Sequence, residues 1–159
     1  MRYLVRQKIF SLGDSFSIKD DMGNDVFLAR QQLLSLGKKL RIYDLAGNEL
    51  CYIEQRLMRF MPEYDIYING THTANIKKRF ALFRHDFDIT SSEGNFEVQG
   101  DIFAHEFEIY HNGRLTASIS KQYFSFSDTY SVDIDDSYDQ ILPLALAIVI
   151  DMVCHEHND

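Results

Sequence analysis

The chain has 159 residues, of which 45% are hydrophobic, so it can build the core of one domain, and we expect a single domain over residues 1–159. Its formal net charge of −8 argues against binding to nucleic acid, which is itself a polyanion. The longest apolar run, residues 141–150, is roughly half the length that a membrane-spanning helix needs, so no transmembrane segment is predicted.

The N-terminal segment alternates polar and apolar residues. This pattern predicts a first β-strand near Tyr3 to Phe10 and differs from the continuous apolar core of a signal peptide. The two cysteines, Cys51 and Cys154, are far apart in the sequence and form no C-x-x-C pair, so they predict buried thiols and no disulfide framework. Together these features predict a cytoplasmic protein.

The middle of the chain repeats one pattern. Each copy begins with an aromatic or aliphatic residue, any one residue and an isoleucine. A polar turn that contains glycine comes next, followed by a stretch in which apolar and polar residues alternate. The turn glycines are Gly23, Gly47, Gly70, Gly94 and Gly113. Their spacing of 19 to 24 residues predicts one β-hairpin used five times.

The turns carry the chemistry of hairpins. Asn69-Gly70 and Asn112-Gly113 suit type I′ turns, in which both central residues need positive φ, and the Asp-x-x-Gly-Asn copies suit a type I turn followed by a left-handed residue. Five hairpins, an opening strand and a closing strand near residues 127–134 give about twelve strands. Because a long antiparallel meander leaves exposed edges, we expect it to close into a barrel over residues 1–136.

The C-terminal segment breaks the alternation. Between Ile141 and Cys154 it carries a single charge, Asp151, and Pro143 suits the first turn of a helix, which predicts a helix over about residues 139–154. A helix that is apolar on every side has to be buried on every side. The predicted fold is therefore mainly β, an antiparallel barrel that encloses a hydrophobic C-terminal helix. A lipocalin-like carrier, with the helix outside the barrel, is the alternative.

A hairpin meander with Asp-x-x-Gly-Asn turns, followed by Ser-Val-Asp-Ile-Asp-Asp and a wholly apolar helix, resembles the LURP-one-related family. That family belongs to the superfamily of tubby C-terminal-like domains, which also holds the phospholipid scramblases. The resemblance covers nearly the whole chain and implies a twelve-stranded barrel around a central helix. For function it implies less: tubby domains bind phosphoinositides, and scramblases are linked to calcium and lipid movement.

The acidic segment before the helix is similar to the segment proposed to bind calcium in scramblases. It keeps Asp133, Asp135 and Asp136, and calcium takes about six to eight oxygen ligands. The later aspartates of that segment correspond here to Leu144-Ala-Leu-Ala, so we expect weak calcium binding or none. The alternative is that these carboxylates solvate the loop and favour the N-terminus of the helix.

Two basic clusters are candidate sites for a phosphoinositide-like headgroup, because such a headgroup needs several cations converging on one pocket. They are Lys38, Lys39 and Arg41, and Lys77, Lys78, Arg79 and Arg84. Solvated strand ends, which have the same composition, are the alternative. Since no apolar contact is evident and the chain is acidic, we expect no binding to plain anionic vesicles and at most weak binding to multiply phosphorylated headgroups.

We find no G-x-S-x-G motif, no phosphate-cradling glycine loop and no paired nucleophile site, so no cofactor is predicted. The predicted function is a non-enzymatic binding module for a lipid headgroup, a small anion or a protein. The alternative is an enzyme whose site is assembled from strand ends. A deep cleft lined by a carboxylate and two or more of four histidines would favour the enzyme. These histidines are His72, His85, His105 and His111.

Overall fold

The computed structural model describes residues 1–7, 14–32, 35–80, 86–121 and 128–155. Within these ranges the chain forms twelve strands, all in one antiparallel sheet, and one helix. The elements in chain order are β1 (Arg2–Arg6), β2 (Ser15–Asp20), β3 (Asp25–Gln31), β4 (Lys39–Asp44), β5 (Glu49–Gln55), β6 (Glu63–Ile68), β7 (Thr71–Arg79), β8 (Asp86–Ser91), β9 (Phe96–Asp101), β10 (Glu106–His111), β11 (Arg114–Ser120), β12 (Thr129–Ile134) and α1 (Ile141–His155).

The first and last strands of the chain pair in the middle of the sheet. β1 pairs with β12, with Tyr3 opposite Val132, and the strand order runs from β8 through β1 and β12 to β9. A twelve-stranded meander joined in this way is a nearly closed barrel. The predicted barrel is therefore confirmed.

The turn at Gly94 differs from the hairpin predicted there. β8 and β9 are consecutive in the chain, yet within the described residues they pair only with β7 and β10, so they are the two edges of the sheet. The β8–β9 turn instead forms hydrogen bonds with the neighbouring β10–β11 turn. Asn95 N–H donates to Asn112 Oδ1 at 2.9 Å, and Asn112 N–H donates to the Asn95 carbonyl at 2.7 Å. These bonds hold the β8–β9 connection against β10 and leave a seam between β8 and β9.

The turn chemistry predicted from the sequence is confirmed. All five turn glycines have positive φ, between 80° and 125°, and Asn69 and Asn112 have φ of 48° and 50°, as type I′ turns require. Asp20 and Asp44 each accept the backbone N–H of the asparagine four residues on, at 2.9 and 2.8 Å. Hydrogen bonds from that asparagine lower the pKa of both carboxyl groups.

The helix fills the barrel. Residues 144–150 are completely buried, and they include Leu146 and Ile148, which lie on different sides of the helix. Around them pack inward-facing strand residues such as Ile42 and Ile66, which are buried as well. The central-helix prediction is confirmed, and the lipocalin-like alternative is wrong. No helix among the described residues is long and apolar enough to cross a membrane.

The barrel has two ends with different connections. Because consecutive strands are antiparallel, the glycine turns all lie at one end, here called the turn end. The connections from β3 to β4, from β5 to β6 and from β7 to β8 lie at the other end, here called the loop end. The helix begins at the turn end, and residues 135–140 connect it to β12. Its last turn reaches the loop end, where the positive charge of Lys78 is close enough to Cys154 to favour a lower pKa of the thiol.

Candidate functional site

Three neighbouring connections at the loop end form one surface. This surface, here called the basic end, consists of residues 36–39, 56–63 and 77–80. Main-chain hydrogen bonds of 2.9 Å join the three stretches, since Gln55 N–H donates to the Lys38 carbonyl and Lys78 N–H donates to the Pro62 carbonyl. The fold therefore brings parts of both predicted basic clusters together, although 37 residues lie between Lys39 and Lys77 in the sequence.

The basic end is strongly positive in an acidic protein. Its three stretches hold seven Lys or Arg residues and one acidic residue, Glu63, which is a formal charge of +6, whereas the whole chain carries −8. The seven are Lys38, Lys39, Arg56, Arg59, Lys77, Lys78 and Arg79. Sequence reasoning missed Arg56 and Arg59, because they form no run of charge. The only feature of the sequence that could have indicated them is the stretch Arg-Leu-Met-Arg-Phe, in which two arginines alternate with apolar residues.

Not every predicted cation belongs to this surface. Arg41 forms an ion pair with Glu49 at 2.9 Å, near the start of β5 and thus toward the turn end. Arg79 lies at the basic end but is paired with Asp88 at 3.3 Å. Arg84 lies outside the described residues. The lysines of the two clusters are therefore the predicted residues that the basic end brings together.

A network of polar side chains holds the β5–β6 connection on the outer face of the sheet. Arg56 Nε lies 2.5 Å from Asp65 Oδ2 and 3.3 Å from Glu63 Oε2, and both carboxylates are nearly buried. His72 Nε2 lies 2.8 Å and Asn75 Nδ2 3.1 Å from Asp65 Oδ1. Burial alone would raise the pKa of Asp65, but these hydrogen bonds hold it below its usual value. The network therefore fixes the two ends of the β5–β6 connection on the sheet.

The basic end also carries exposed apolar side chains. They are Leu36, Leu57, Met58, Phe60 and Phe80. Met58 and Phe60 are the most exposed, and the exposed fraction of Phe60 is 95%. Leu57 packs so closely on the β3–β4 connection that a Cβ atom at Gly37 would lie 2.7 Å from Leu57 Cδ2. Apolar side chains grouped in this way beside cations are typical of an interaction surface.

The three predicted calcium ligands each contact a different cation. Arg2 grips Asp133 with two hydrogen bonds, at 2.9 Å from Nε to Oδ1 and 3.0 Å from Nη2 to Oδ2. Arg114 Nη2 lies 2.9 Å from Asp135 Oδ2. The amino group of the first residue contacts Asp136. These ion pairs direct the three carboxylates toward separate partners.

The pKa of Asp135 reflects this environment. Hydrogen bonds from Ser137, together with the hydrogen bond and charge of Arg114, lower the pKa of Asp135 to about 2. The part of the chain that the structure describes contains no group of three or more His, Cys, Asp or Glu side chains that is placed to hold a metal ion. The acidic segment instead links the start of β1, the start of β11 and the connection that leads to the helix.

The described histidines do not converge on one cleft. His72 lies on the outer face beside Asp65, and His111 lines a cavity at the turn end. His105 lies in the turn between β9 and β10, with φ of 55°, and is buried in the core. His85 lies outside the described residues. Residues 1–7, 14–32, 35–80, 86–121 and 128–155 thus lack the arrangement of histidines that would favour an enzyme.

Both thiols are buried, as predicted. Burial raises the pKa of Cys51 and of Cys154 to about 12. Because the thiolate is the reactive form of cysteine, the two side chains act at neutral pH as small hydrophobic groups of the core.

Comparison with known proteins agrees with the fold and with the family resemblance. A family model described as LURP-one-related matches residues 1–151. Uncharacterized protein YxjI of Bacillus subtilis (strain 168) is 33% identical over 155 residues, which cover 98% of this chain and 94% of the relative. An X-ray structure of an Arabidopsis thaliana protein matches with a TM-score of 0.68 at 15% identity, over 96% of this chain and 90% of that one, which is a likeness of fold. The chain belongs to the LURP-one-related family.

Proposed function

We propose that this chain is a non-enzymatic binding module that docks on an anionic lipid surface through its basic end and takes phosphoinositide-like headgroups there. The observation that carries the proposal is the coincidence, on three neighbouring connections, of a formal charge of +6 with five exposed apolar side chains. Cations alone would favour any polyanion. Cations with protruding apolar side chains favour the interface of an anionic bilayer.

The charge asymmetry orients the molecule on the lipid. A Lys or Arg near an anionic surface contributes about 1 kcal/mol to binding, and this attraction falls off within a Debye length of roughly 8 Å at physiological salt. The rest of the chain is acidic and is repelled, so the barrel docks with its turn end away from the lipid. Met58 and Phe60 enter the interface first, where burying such a side chain contributes about 1.5–3 kcal/mol.

The lysines are the cations best suited to the headgroup phosphates. Arg56 is already engaged by Glu63 and Asp65, whereas Lys39 and Lys77 lie on the two strands that flank the β5–β6 hairpin. A lysine ammonium group acts as a point charge and tolerates many phosphate geometries. A headgroup with several phosphates concentrates more charge between these lysines than phosphatidylserine does, and it therefore binds more tightly.

The proposal goes further than the expectation from the sequence, under which plain anionic vesicles would not bind. That expectation assumed that no apolar contact is available, and Met58 and Phe60 provide one. We therefore expect measurable binding to phosphatidylserine vesicles and tighter binding when a multiply phosphorylated phosphoinositide is added. Both should weaken as salt is raised, because the lysines supply the long-range attraction.

Vesicle co-sedimentation tests the proposal. The vesicles contain phosphatidylcholine alone, with phosphatidylserine, or with a multiply phosphorylated phosphoinositide. The double variant Lys39→Glu with Lys77→Glu should lose most of the binding to both anionic vesicles. The charge-matched control, Lys19→Glu with Arg114→Glu, changes two cations at the turn end, which is the opposite end of the barrel, and should bind as the unmodified chain does.

The apolar contribution is tested separately. Phe60→Ser should weaken binding to both anionic vesicles, while the control Met22→Ser, at an exposed position of the turn end, should leave it unchanged. Equal binding by the Lys39→Glu, Lys77→Glu variant and its control would show that the basic end is not the surface that docks on the vesicles. If the protein binds to none of the three kinds of vesicle, the lipid proposal is contradicted and a protein partner should be sought instead.

A further inference from the structure

A cavity of about 390 Å³ opens at the turn end, on the opposite side of the barrel from the basic end. It lies where the seam between β8 and β9 meets the β6–β7 turn and the first turn of the helix. Small-molecule sites span roughly 300–1,000 Å³, so the cavity suits a small ligand. Ser92, Glu93 and Phe96, from the β8–β9 connection and the start of β9, form part of its lining.

The cavity has an apolar floor and a polar rim. The floor includes Phe96, Leu142 and Pro143, which are buried. The rim includes Glu93 and Asp139, two acidic residues at exposed positions. This division between an apolar interior and a few polar groups at the opening is the usual composition of a small-molecule site.

His111 forms a fixed wall of the cavity. In the neutral ring, Nε2 donates to the Glu93 carbonyl at 2.7 Å, because a carbonyl oxygen only accepts, and Nδ1 accepts from the Tyr138 hydroxyl at 3.1 Å. The ring also stacks on Phe96 with a centroid distance of 4.3 Å. Gly94 approaches so closely that a Cβ atom there would lie 2.8 Å from His111 Nε2. These contacts pre-form the cavity, which lowers the entropic cost of binding.

The charge around the cavity is negative. Among the residues that the structure describes, its lining includes Glu93 and Asp139 and no lysine or arginine. Arg114, which stacks on a lining tyrosine, is paired with Asp135 at 2.9 Å, so its charge is compensated. Asp139 Oδ2 accepts the Leu142 N–H at 3.3 Å, which occupies the helix N-terminus that would otherwise attract an anion. The cavity therefore favours a cation, and the net charge of −8 attracts cations from a distance.

We propose that this cavity binds a small organic cation, a primary amine with an apolar or aromatic body. The ammonium group lies against the Glu93 carboxylate, and the body packs on Phe96 and Leu142. Thr73, a buried residue of the lining, donates its hydroxyl to the Thr71 carbonyl at 2.9 Å. The lone pairs of that hydroxyl remain as acceptors, which an ammonium group can use and a carboxylate cannot.

Isothermal titration calorimetry with 2-phenylethylamine tests this site. The comparison probe is 3-phenylpropionate, which carries a carboxylate on a similar aromatic body. We expect saturable binding of the amine and no detectable binding of the acid. Glu93→Gln keeps the shape of the side chain and removes its charge, so it should weaken amine binding about tenfold. The matched control Glu97→Gln, on β9 outside the cavity, should leave the affinity unchanged.

Three results would overturn this proposal. They are no heat with the amine, equal binding of the two probes, and an unchanged amine affinity in Glu93→Gln. Amide chemical shifts place the probe, since changes at Ser92 and His111 are expected and changes confined to other residues would contradict the site. Because the cavity and the basic end lie at opposite ends of the barrel, the vesicle experiments and this titration fail or succeed independently.

Discussion

His105 and Asp151 link the wall of the barrel to the central helix through a buried hydrogen bond. Nε2 of His105 lies 2.6 Å from Oδ1 of Asp151, and the exposed fractions of the two side chains are 3% and 1%. The ring of Tyr130 stacks on His105 with a centroid distance of 4.9 Å. Asp151 is the single charge that the sequence places on the apolar helix, and its partner comes from the β9–β10 turn, 46 residues earlier.

Removing one member of this pair should destabilise the fold more than removing both. Asp151→Leu leaves the imidazole without this acceptor, and His105→Leu leaves a carboxylate buried, so each should lower the free energy of unfolding by about 3–5 kcal/mol. The double variant should recover part of this loss, because two apolar groups then face each other. Urea denaturation of the three variants gives the coupling energy. A double variant whose loss equals the sum of the single losses would contradict the pairing.

The central helix should not tolerate a charge at Ile148. Ile148→Asp buries an unpaired carboxylate in the middle of the barrel and should abolish soluble folding. Ile148→Val is the matched control and should cost only about 1 kcal/mol, since it removes one methyl group. Expression, gel filtration and thermal unfolding compare the two. A soluble Ile148→Asp protein with an unchanged unfolding midpoint would contradict the position of the helix.

Asp135 should remain ionised into strongly acidic solution. Its pKa of about 2 lies below the usual value for aspartate, so the stabilisation from its ionised form is present at and above the usual value and is lost as the pH falls through about 2. A ¹³C NMR titration of the carboxyl group follows this directly. Ser137→Ala and Arg114→Gln should each raise the pKa, and values unchanged in both variants would show that these contacts are not its cause.

Calcium should bind the segment from Asp133 to Asp139 weakly or not at all. The carboxylates of Asp133 and Asp135 are held by arginines, and an ion would have to displace both. Titration calorimetry with calcium chloride measures this. A dissociation constant tighter than about 10⁻⁵ M would contradict the expectation, because sensor sites reach that range. Loss of such a signal in Asp135→Ala would then locate the ion.

Local patterns were sufficient to predict most of the fold. The Asn-Gly and Asp-x-x-Gly-Asn turns set φ within a few residues, and a segment such as residues 141–150, apolar on all sides, has only the barrel interior in which to be buried. The seam at Gly94 could not be predicted in this way. It depends on the pairing of β1 with β12, far from Gly94 in the sequence, and on the hydrogen bonds between Asn95 and Asn112.

The candidate site was predicted less completely than the fold. The lysine runs at Lys38 and Lys77 were visible as charge, but composition does not tell which connections lie side by side. Arg56 and Phe60 became part of the site only because the β5–β6 connection lies between the other two. The partner of Asp151 could not be predicted either. His105 lies in a turn with positive φ, 46 residues before Asp151, and no sequence pattern connects the two residues.

The most direct test asks whether the tip of the basic end enters a lipid interface. The chain contains no tryptophan, so one introduced by substitution reports only its own environment. Phe60→Trp places it at the basic end, and Met22→Trp places it at an exposed position of the turn end. With vesicles that contain a multiply phosphorylated phosphoinositide, we predict a blue shift of the Phe60→Trp emission and no shift for Met22→Trp. An unshifted Phe60→Trp spectrum with such vesicles, or equal shifts at both positions, would contradict docking through the basic end.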